Sequence, residues 1–283
     1  MDLRDIRRIV ITALFSDDEL MERFVLKGGN ALDLVYSVGT RSSVDIDLSM
    51  PGDFPDLEDA KARIFRALRD RFDSAGFVVF DETFQPKPSV VREGRSPRWG
   101  GYQVEFKIIN RQTHNQHSDD LEKLRRNAAL VGPEQKRKFK IDISKYEFCE
   151  LKKETELDHY TIYVYSLPMM VIEKLRAICQ QMPEYELRSN PRARARDFYD
   201  IHSILTVEKI DVTSPENLEL VGNIFAAKEV PTSLLAKIKD MRDFHIVDWP
   251  AVQQSVSGEL EDFDFYFGFV VRLVETLQTA WIE

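Results

Sequence analysis

Two aspartates lie on alternate residues of a short apolar run, "VDIDLSM", which spans residues 44–50. The alternation predicts a strand whose apolar residues form one face and whose aspartates, Asp45 and Asp47, form the other, about 7 Å apart. Like charges at this spacing repel unless a cation lies between them, and Mg²⁺ prefers oxygen ligands. An isolated pair of this kind is more often a solvated strand face, so the rest of the chain must distinguish the two interpretations.

A glycine turn precedes the aspartate pair. Gly28 and Gly29 end the short apolar run "FVLKGG", and a helical pattern begins directly after them. Glycines at such a position allow backbone N–H groups and a helix N-terminus to approach a phosphate closely, although two glycines also mark ordinary tight turns. A glycine turn could bind the phosphates, and two carboxylates one helix later could bind the metal. Together they would hold a metal–triphosphate complex.

A third carboxylate is needed for metal-assisted phosphoryl or nucleotidyl transfer, because two groups bridge the ions and another takes part in activating the nucleophile. Asp142 lies on the polar face of the alternating run "KFKIDISKYEF". Glu105, in the alternating run "YQVEFKII", competes for this role. We favour Asp142 and expect Mg²⁺, or Mn²⁺ in its place, as the metal cofactor.

Two charged residues in the second half of the chain stand out on helical wheels. Lys174 lies at the edge of the apolar stripe of "PMMVIEKLRAICQQM", and Asp197 lies inside the apolar face of "RARDFYDIHSIL". A carboxylate in an apolar face is costly unless it is paired, so we expect Asp197 to contact a cation such as Lys174 or Arg194. The alternative is a purely structural salt bridge between two lobes.

The order of helical and strand patterns along the chain predicts an α/β (α+β) protein with two domains, at residues 1–165 and 166–283. In the first domain we expect helices over residues 3–24, 57–74 and 118–130, and a helix between the glycine turn and Gly39. Strands are expected before Gly28, at residues 44–50, at "FVVF" and in the two runs around Glu105 and Asp142, with a loop between "FVVF" and Gly101. The second domain is expected to be mainly helical.

Composition excludes several classes of protein. The chain has 283 residues, of which 43% are hydrophobic and 31% charged, as in folded globular proteins. The net charge of −9 argues against a protein that coats nucleic acid over its whole surface. The absence of a long apolar run and the charged N-terminus predict a cytoplasmic protein with no membrane partner. A single basic cluster is more often a solvated face or loop, but three in a net-acidic chain indicate a phosphate-bearing ligand. They are Arg92, Arg95 and Arg98; Lys136, Arg137, Lys138 and Lys140; and Arg188, Arg192, Arg194 and Arg196.

Cysteine and histidine give weaker signals. Cys149 and Cys179 have no C-x-x-C spacing, so we expect two buried thiols rather than a zinc site or a disulfide. His114 and His117 form an H-x-x-H without a further ligand, which makes zinc binding there a poor explanation.

Four blocks, in order, resemble the landmarks of a known family: "LKGGNALDLVYSVGTRSSVDIDL", "KIDIS", "EKLRAI" and "RARDFYDI". They are similar to those of the AbiEii/AbiGii-type toxins, including the MenT-type enzymes, within the DNA polymerase β-like nucleotidyltransferase superfamily. The resemblance covers about residues 20–206. It implies a nucleotidyltransferase lobe with a mixed sheet, followed by a helical lobe, with the nucleotide bound between them.

The resemblance also implies roles for individual residues. Asp45, Asp47 and Asp142 would bind the metal and act in catalysis together with Lys174 and Asp197, and NTP would be the substrate. Nucleotide binding would involve Lys27, Gly28, Gly29, Asn30, Ser43 and Lys174. Asn30 departs from the pattern of the superfamily, in which many members have serine directly after the glycines. The family acts on RNA, in the best-defined members on tRNA 3′ ends, and is neutralised by a cognate antitoxin.

The leading hypothesis is therefore a Mg²⁺-dependent nucleotidyltransferase of a toxin–antitoxin or abortive-infection system, with RNA as the acceptor. Two alternatives remain open. The same carboxylates could support a metal-dependent nuclease or phosphodiesterase, or the chain could be a catalytically silent nucleotide-binding module. The sequence encodes neither the base of the NTP nor the acceptor.

Overall fold

The structure, a computed structural model, describes residues 2–38, 43–89, 100–131, 136–187 and 190–282, with side chains up to residue 278. Gly39, the cluster of Arg92, Arg95 and Arg98, and Arg188 lie outside the described residues. The chain divides into two compact units. The sheet unit comprises the described residues within Met1–Val35 and Ser43–Val164, and the helical unit those within Tyr36–Ser42 and Tyr165–Glu283.

A seven-stranded mixed sheet forms the centre of the sheet unit, in the order β3-β4-β5-β2-β1-β7-β6. The pairs β2–β5 and β1–β7 are parallel, and the other four neighbouring pairs are antiparallel. The strands are β1 (Val25–Lys27), β2 (Ile46–Ser49), β3 (Phe77–Lys87), β4 (Gly101–Asn110), β5 (Phe139–Ser144), β6 (Lys153–Leu157) and β7 (Tyr160–Val164).

Helices of the sheet unit cover the apolar side of the sheet, where α1 packs against α4 and β7, and α4 packs against β3. Local signals fix the ends of these helices: Asp2 and Asp5 form a capping box at the start of α1, and Asp56 caps α4. The helices are α1 (Leu3–Phe15), α2 (Asp18–Arg23), α3 (Gly28–Ala31), α4 (Leu57–Ser74), α5 (Arg111–Gln116) and α6 (Leu121–Asn127), and α3 continues into a π-helical turn, Leu32–Tyr36.

Alternation in the central strands agrees with the sequence. On β4 and β5 the apolar residues are buried and the polar ones are partly exposed, as expected for a sheet with one face on the core. The predicted boundaries of α4 are confirmed, and both cysteines are buried thiols. The mixed α/β architecture confirms the predicted fold class.

Four predicted elements were wrong in extent. The helix expected over residues 3–24 is two helices, because Asp17 caps a new helix by accepting a hydrogen bond from the N–H of Leu20. Strand β3 continues to Lys87, where a loop was expected. The helix expected over 118–130 is shorter and follows a separate helix, α5. Asp45 lies in a bend directly before β2, rather than in the strand.

The first long helix of the helical unit is α7, which has Pro168 in its first turn, as predicted. The core of the helical unit includes Phe198, whose ring centroid lies 5.4 Å from that of Phe263 and 5.5 Å from that of Phe267. Within the described ranges, no helix is both long and apolar enough to cross a membrane. Its helices are α7 (Leu167–Cys179), α8 (Ala195–Val207), α9 (Pro215–Ala226), α10 (Arg242–Ile246), α11 (Trp249–Ser255) and α12 (Phe263–Ile282), with a 3₁₀ segment, Thr232–Asp240.

Candidate active site

One row of polar residues crosses four neighbouring strands of the sheet. Asp47 on β2 pairs with Lys27 on β1 and with Asp142 on β5, and Asp142 in turn pairs with Gln103 on β4. Residues that pair across strands project from the same face, so two predicted metal ligands are neighbours. Glu105, the competitor for the third position, pairs with Lys140 and is therefore one row further along.

Asp45 is electrostatically linked to this row. Its side chain reaches the surface, yet the surrounding protein still desolvates it, and this desolvation is the largest cause of a raised pKa. Repulsion from the carboxylate of Asp142 also raises the pKa of Asp45, while Lys140 and Lys87 oppose the shift. The structure therefore places Asp45 close enough to Asp142 for the two like charges to interact.

The glycine turn lies against the carboxylate of Asp47. Gly28 opens α3 with a φ of +69°, and a Cβ atom at this position would lie 2.5 Å from Asp47 Oδ2. Both the left-handed backbone and the close approach require glycine. Gly29 follows it and is buried. The turn and the aspartate, 19 positions apart in sequence, are thus parts of one site.

Asn30 is fully buried and bonded to protein at both ends of its amide. Its Nδ2 donates a hydrogen bond to the carbonyl of Asp45 at 2.7 Å, and its Oδ1 accepts one from Arg7 at 3.0 Å. The carbonyl of Ser43 accepts a second hydrogen bond from Arg7 at 2.9 Å, and the hydroxyl of Ser43 lies 3.4 Å from the Asp45 carbonyl. The amide of Asn30 therefore supports the backbone of the candidate metal ligand.

Lys27, a predicted nucleotide ligand, is buried beside Asp47 in the register of the sheet. Its Nζ lies 3.4 Å from Ser144 Oγ and 3.5 Å from Glu147 Oε1. Glu147 is also buried, so this ion pair brings a further carboxylate near the row. Sequence reasoning did not identify Glu147, which follows β5 in an irregular segment.

Asp142 is held by two neighbours. Lys87 Nζ donates to both of its carboxylate oxygens, at 2.8 and 2.7 Å, and Gln103 Nε2 donates to one of them at 2.9 Å. Glu105 is held separately by Lys138, at 2.7 Å. Lys87 was missed by sequence reasoning because it lies in the segment that was expected to be a loop.

The donor set fits a hard divalent cation in its chemistry. Asp45, Asp47 and Asp142 offer only oxygen atoms, and the repulsion between Asp45 and Asp142 is of the kind that a cation relieves. Within the part of the chain that the structure describes, no group of three or more carboxylate, histidine or cysteine side chains is arranged to hold a metal ion. The charge of Asp142 is meanwhile compensated by Lys87, whose side chain is 51% exposed.

Lys174 and Asp197 meet in the helical unit. Lys174 Nζ lies 3.1 Å from Asp197 Oδ1 and 2.7 Å from Asp200 Oδ2, and all three residues are at most 5% exposed. Arg194 donates to the other oxygen of Asp197. The prediction that Asp197 pairs with Lys174 or Arg194 is confirmed, with contacts to both. The bridge lies within one unit, so its expected position between two lobes was wrong, and the alternative of a purely structural role stays a prediction.

Asp200 was missed by sequence reasoning. It follows Asp197 by three positions on α8 and therefore shares its helix face, which is the signal that could have identified it. His245 adds a polar group to this region, since its Nδ1 accepts a hydrogen bond from the backbone N–H of Arg194 at 3.0 Å. Burial is the main reason why the pKa of His245 is lowered to about 4.

Comparison with known proteins agrees with this architecture. The family of the nucleotidyl transferase AbiEii toxin of type IV toxin–antitoxin systems matches residues 9–268. No curated protein matches the chain. JHP933 from Helicobacter pylori has 16% identity and a TM-score of 0.50, covering 97% of this chain and 91% of its own. A provisionally assigned nucleotidyltransferase from H. pylori has 16% identity and a TM-score of 0.52, covering 98% and 95%.

At this level of identity the two solved structures show a shared fold, and the family match carries the assignment. That match extends over nearly the whole chain, through both the sheet unit and the helical unit. This protein belongs to the AbiEii toxin family and is a nucleotidyltransferase.

Proposed function

We propose that this protein transfers a nucleoside monophosphate from an NTP to a hydroxyl group of RNA, with tRNA as the acceptor class. It does so with Mg²⁺, which Mn²⁺ can replace, and acts in the cytoplasm as a toxin that a cognate antitoxin neutralises. The observation that carries the proposal is the pairing of Asp47 with Asp142 beside Gly28. The description of the family as toxins of type IV systems supports the biological role.

In this proposal Asp45 and Asp47 hold the metal, and Asp142 completes the site. The bound metal supplies neutralisation of the charge on the triphosphate. The attacking hydroxyl oxygen forms a bond to the α-phosphorus of the NTP while the bond from this phosphorus to the bridging oxygen of the β-phosphate breaks, so pyrophosphate leaves. Asp142 accepts the proton of the attacking hydroxyl, and the backbone N–H groups of Gly28 and Gly29 orient the phosphates. Positioning and electrostatic stabilisation would supply most of the rate enhancement, as in phosphoryl transfer generally.

Nucleotide contacts by Lys27, Asn30, Ser43 and Lys174 remain predictions from the family resemblance. The side chains of Lys27, Asn30 and Lys174 make protein contacts at buried positions. A requirement for Asp197 would be consistent with its ion pair to Lys174, since loss of one partner leaves a buried charge uncompensated.

The test incubates the purified protein with total tRNA, Mg²⁺ and each of the four labelled NTPs in turn. We expect one NTP to label an RNA, and we expect Asp45→Asn and Asp142→Asn to abolish the labelling. The matched control is Asp70→Asn, which removes an exposed carboxylate of α4 in the same unit. Folding of each variant is checked by its thermal melting curve.

Each alternative function has its own outcome in the same assay. RNA shortening that needs Asp45 and Asp47 but no NTP indicates a nuclease or phosphodiesterase. Binding of NTP without turnover, unchanged in Asp142→Asn, indicates a silent nucleotide-binding module. Expression in cells adds the toxin test, in which the wild-type chain slows growth and Asp45→Asn does not.

A further inference from the structure

Arg7 on α1 is a buried arginine with four hydrogen-bonded or ion-paired contacts to its guanidinium group. One terminal nitrogen donates to Asn30 Oδ1 at 3.0 Å and to the Ser43 carbonyl at 2.9 Å. The other lies 2.9 Å from a carboxylate oxygen of Asp33, and Nε lies 3.4 Å from the Leu3 carbonyl. Arg7 is only 4% exposed, and these contacts compensate for the loss of hydration of its charge.

One contact of Arg7 reaches the short segment of residues 43–45 directly, and a second reaches it through Asn30. Strand β2 begins only at Ile46, and the register of β2 with its neighbours includes no pair for Asp45. The segment therefore lacks the ladder of backbone hydrogen bonds that fixes the following residues. Side chains take over this function, since Arg7 binds the carbonyl of Ser43 and Asn30 binds the carbonyl of Asp45 at 2.7 Å.

Asparagine suits this position because it needs both a donor and an acceptor at a fixed separation. Its Nδ2 donates to the Asp45 carbonyl, and its Oδ1 accepts from Arg7. Serine, the residue that many superfamily members have after the glycines, has one oxygen at a shorter reach and cannot bridge the same two groups. The chemistry of the amide thus accounts for the departure from the superfamily pattern at residue 30.

We infer that Arg7 and Asn30 are positioning residues that fix the backbone from which the carboxylate of Asp45 projects toward its metal. The inference rests on the proposed metal-binding role of Asp45. It assigns to α1, which contains none of the predicted catalytic residues, a direct part in organising the active site. This positioning role rests on their contacts with the backbone of residues 43–45 and is separate from the nucleotide contact that the family resemblance implies for Asn30.

Asn30→Asp provides a nearly isosteric test. The acceptor for Arg7 is kept, whereas the group that faces the Asp45 carbonyl changes from a donor to an acceptor. We expect binding of Mn²⁺ alone, measured by calorimetry and by electron paramagnetic resonance, to weaken by about three- to tenfold, the factor that one lost hydrogen bond represents. Melting curves check that the variant remains folded.

Arg7→Lys provides a second test, with Arg8→Lys as its matched control. Lysine cannot bridge Asn30, Ser43 and Asp33 at once. Arg8 is the next residue of the same helix and forms a bidentate pair with Asp158, which lies in the turn between β6 and β7. We expect both variants to lose some stability, but only Arg7→Lys to weaken Mn²⁺ binding.

The inference is overturned if folded Asn30→Asp and Arg7→Lys bind Mn²⁺ as tightly as the wild type. It is also overturned if Arg8→Lys weakens binding equally, because the effect would then reflect general destabilisation. Absence of Mn²⁺ binding by the wild-type protein would refute both the inference and the proposed metal site. Mn²⁺ binding that depends on Asp45, Asn30 and Arg7, without transfer to RNA, would support the inference and refute only the proposed reaction.

Discussion

Gly28→Ala tests the link between the glycine turn and the proposed metal ligands. Alanine at a φ of +69° costs about 1–2 kcal/mol in backbone strain. Its Cβ would also lie 2.5 Å from Asp47 Oδ2. A close carbon–oxygen contact is about 3.3 Å, so the carboxylate must move by about 0.8 Å. Misplacing a catalytic group by about this distance can cost on the order of 10²-fold in rate.

Gly76→Ala is the matched control, because it separates backbone strain from the collision. Gly76 follows α4 with a φ of +81°, and a Cβ atom there would meet nothing within 4 Å. We expect urea denaturation to give a similar loss of about 1–2 kcal/mol in the free energy of unfolding for both variants. Only Gly28→Ala should lose about 10²-fold in nucleotide transfer to RNA.

Binding of Mn²⁺ in the absence of NTP identifies which part of the site Gly28→Ala has changed. A displaced Asp47 weakens metal binding without nucleotide, whereas a disturbed phosphate contact weakens only NTP binding. Wild-type affinity for Mn²⁺ in a folded Gly28→Ala protein would refute the reasoning. Equal losses of transfer activity in Gly28→Ala and Gly76→Ala would refute it as well, since strain alone would then explain the effect.

Two predictions concern the helical unit. Lys174→Met should lower the free energy of unfolding in urea by about 3–5 kcal/mol because buried carboxylates lose their cation, and part of this loss should return in Lys174→Met combined with Asp200→Leu. The pKa of His245 is about 4 in the folded protein and 6.5 in the unfolded chain. The unfolded chain therefore binds more protons than the folded protein between these two pH values. Stability should therefore fall by about 3 kcal/mol as the pH falls through this window, and His245→Gln should flatten the dependence in denaturation curves at a series of pH values; an unchanged slope would contradict it.

Elements with one buried and one exposed face were predictable from the sequence. The runs that form β2, β4 and β5 alternate because they lie in the centre of a sheet with a single apolar side. The same reasoning identified Asp142, because its place on the polar face follows from the burial of Ile141 and Ile143. The misplaced charge of Asp197 likewise indicated its buried ion pairs before any contact was known.

The full extent of β3, strand β6 and the long-range polar contacts were not predictable in this way, although the first residues of β3 were identified. Strands β3 and β6 lie at the two edges of the sheet, and their side chains are mostly half-buried or exposed, which leaves no clear alternation. The contact between Arg7 and Asn30 joins residues 23 positions apart, and that between Lys87 and Asp142 joins residues 55 positions apart. No local pattern encodes such pairs, because they depend on how the sheet and α1 pack.

The difference in exposure between Lys87 and Lys174 separates two kinds of charge compensation in the molecule. Lys87 is half exposed, and an exposed pair with Asp142 is worth about 0–1 kcal/mol, so a divalent cation could replace it at Asp142 at little cost. Lys174 is buried between two carboxylates, and its removal would leave their charges poorly compensated in the interior. Asp142 can therefore exchange partners while the network around Lys174 stays fixed, as required if the first is a metal ligand and the second supports the fold of the helical unit.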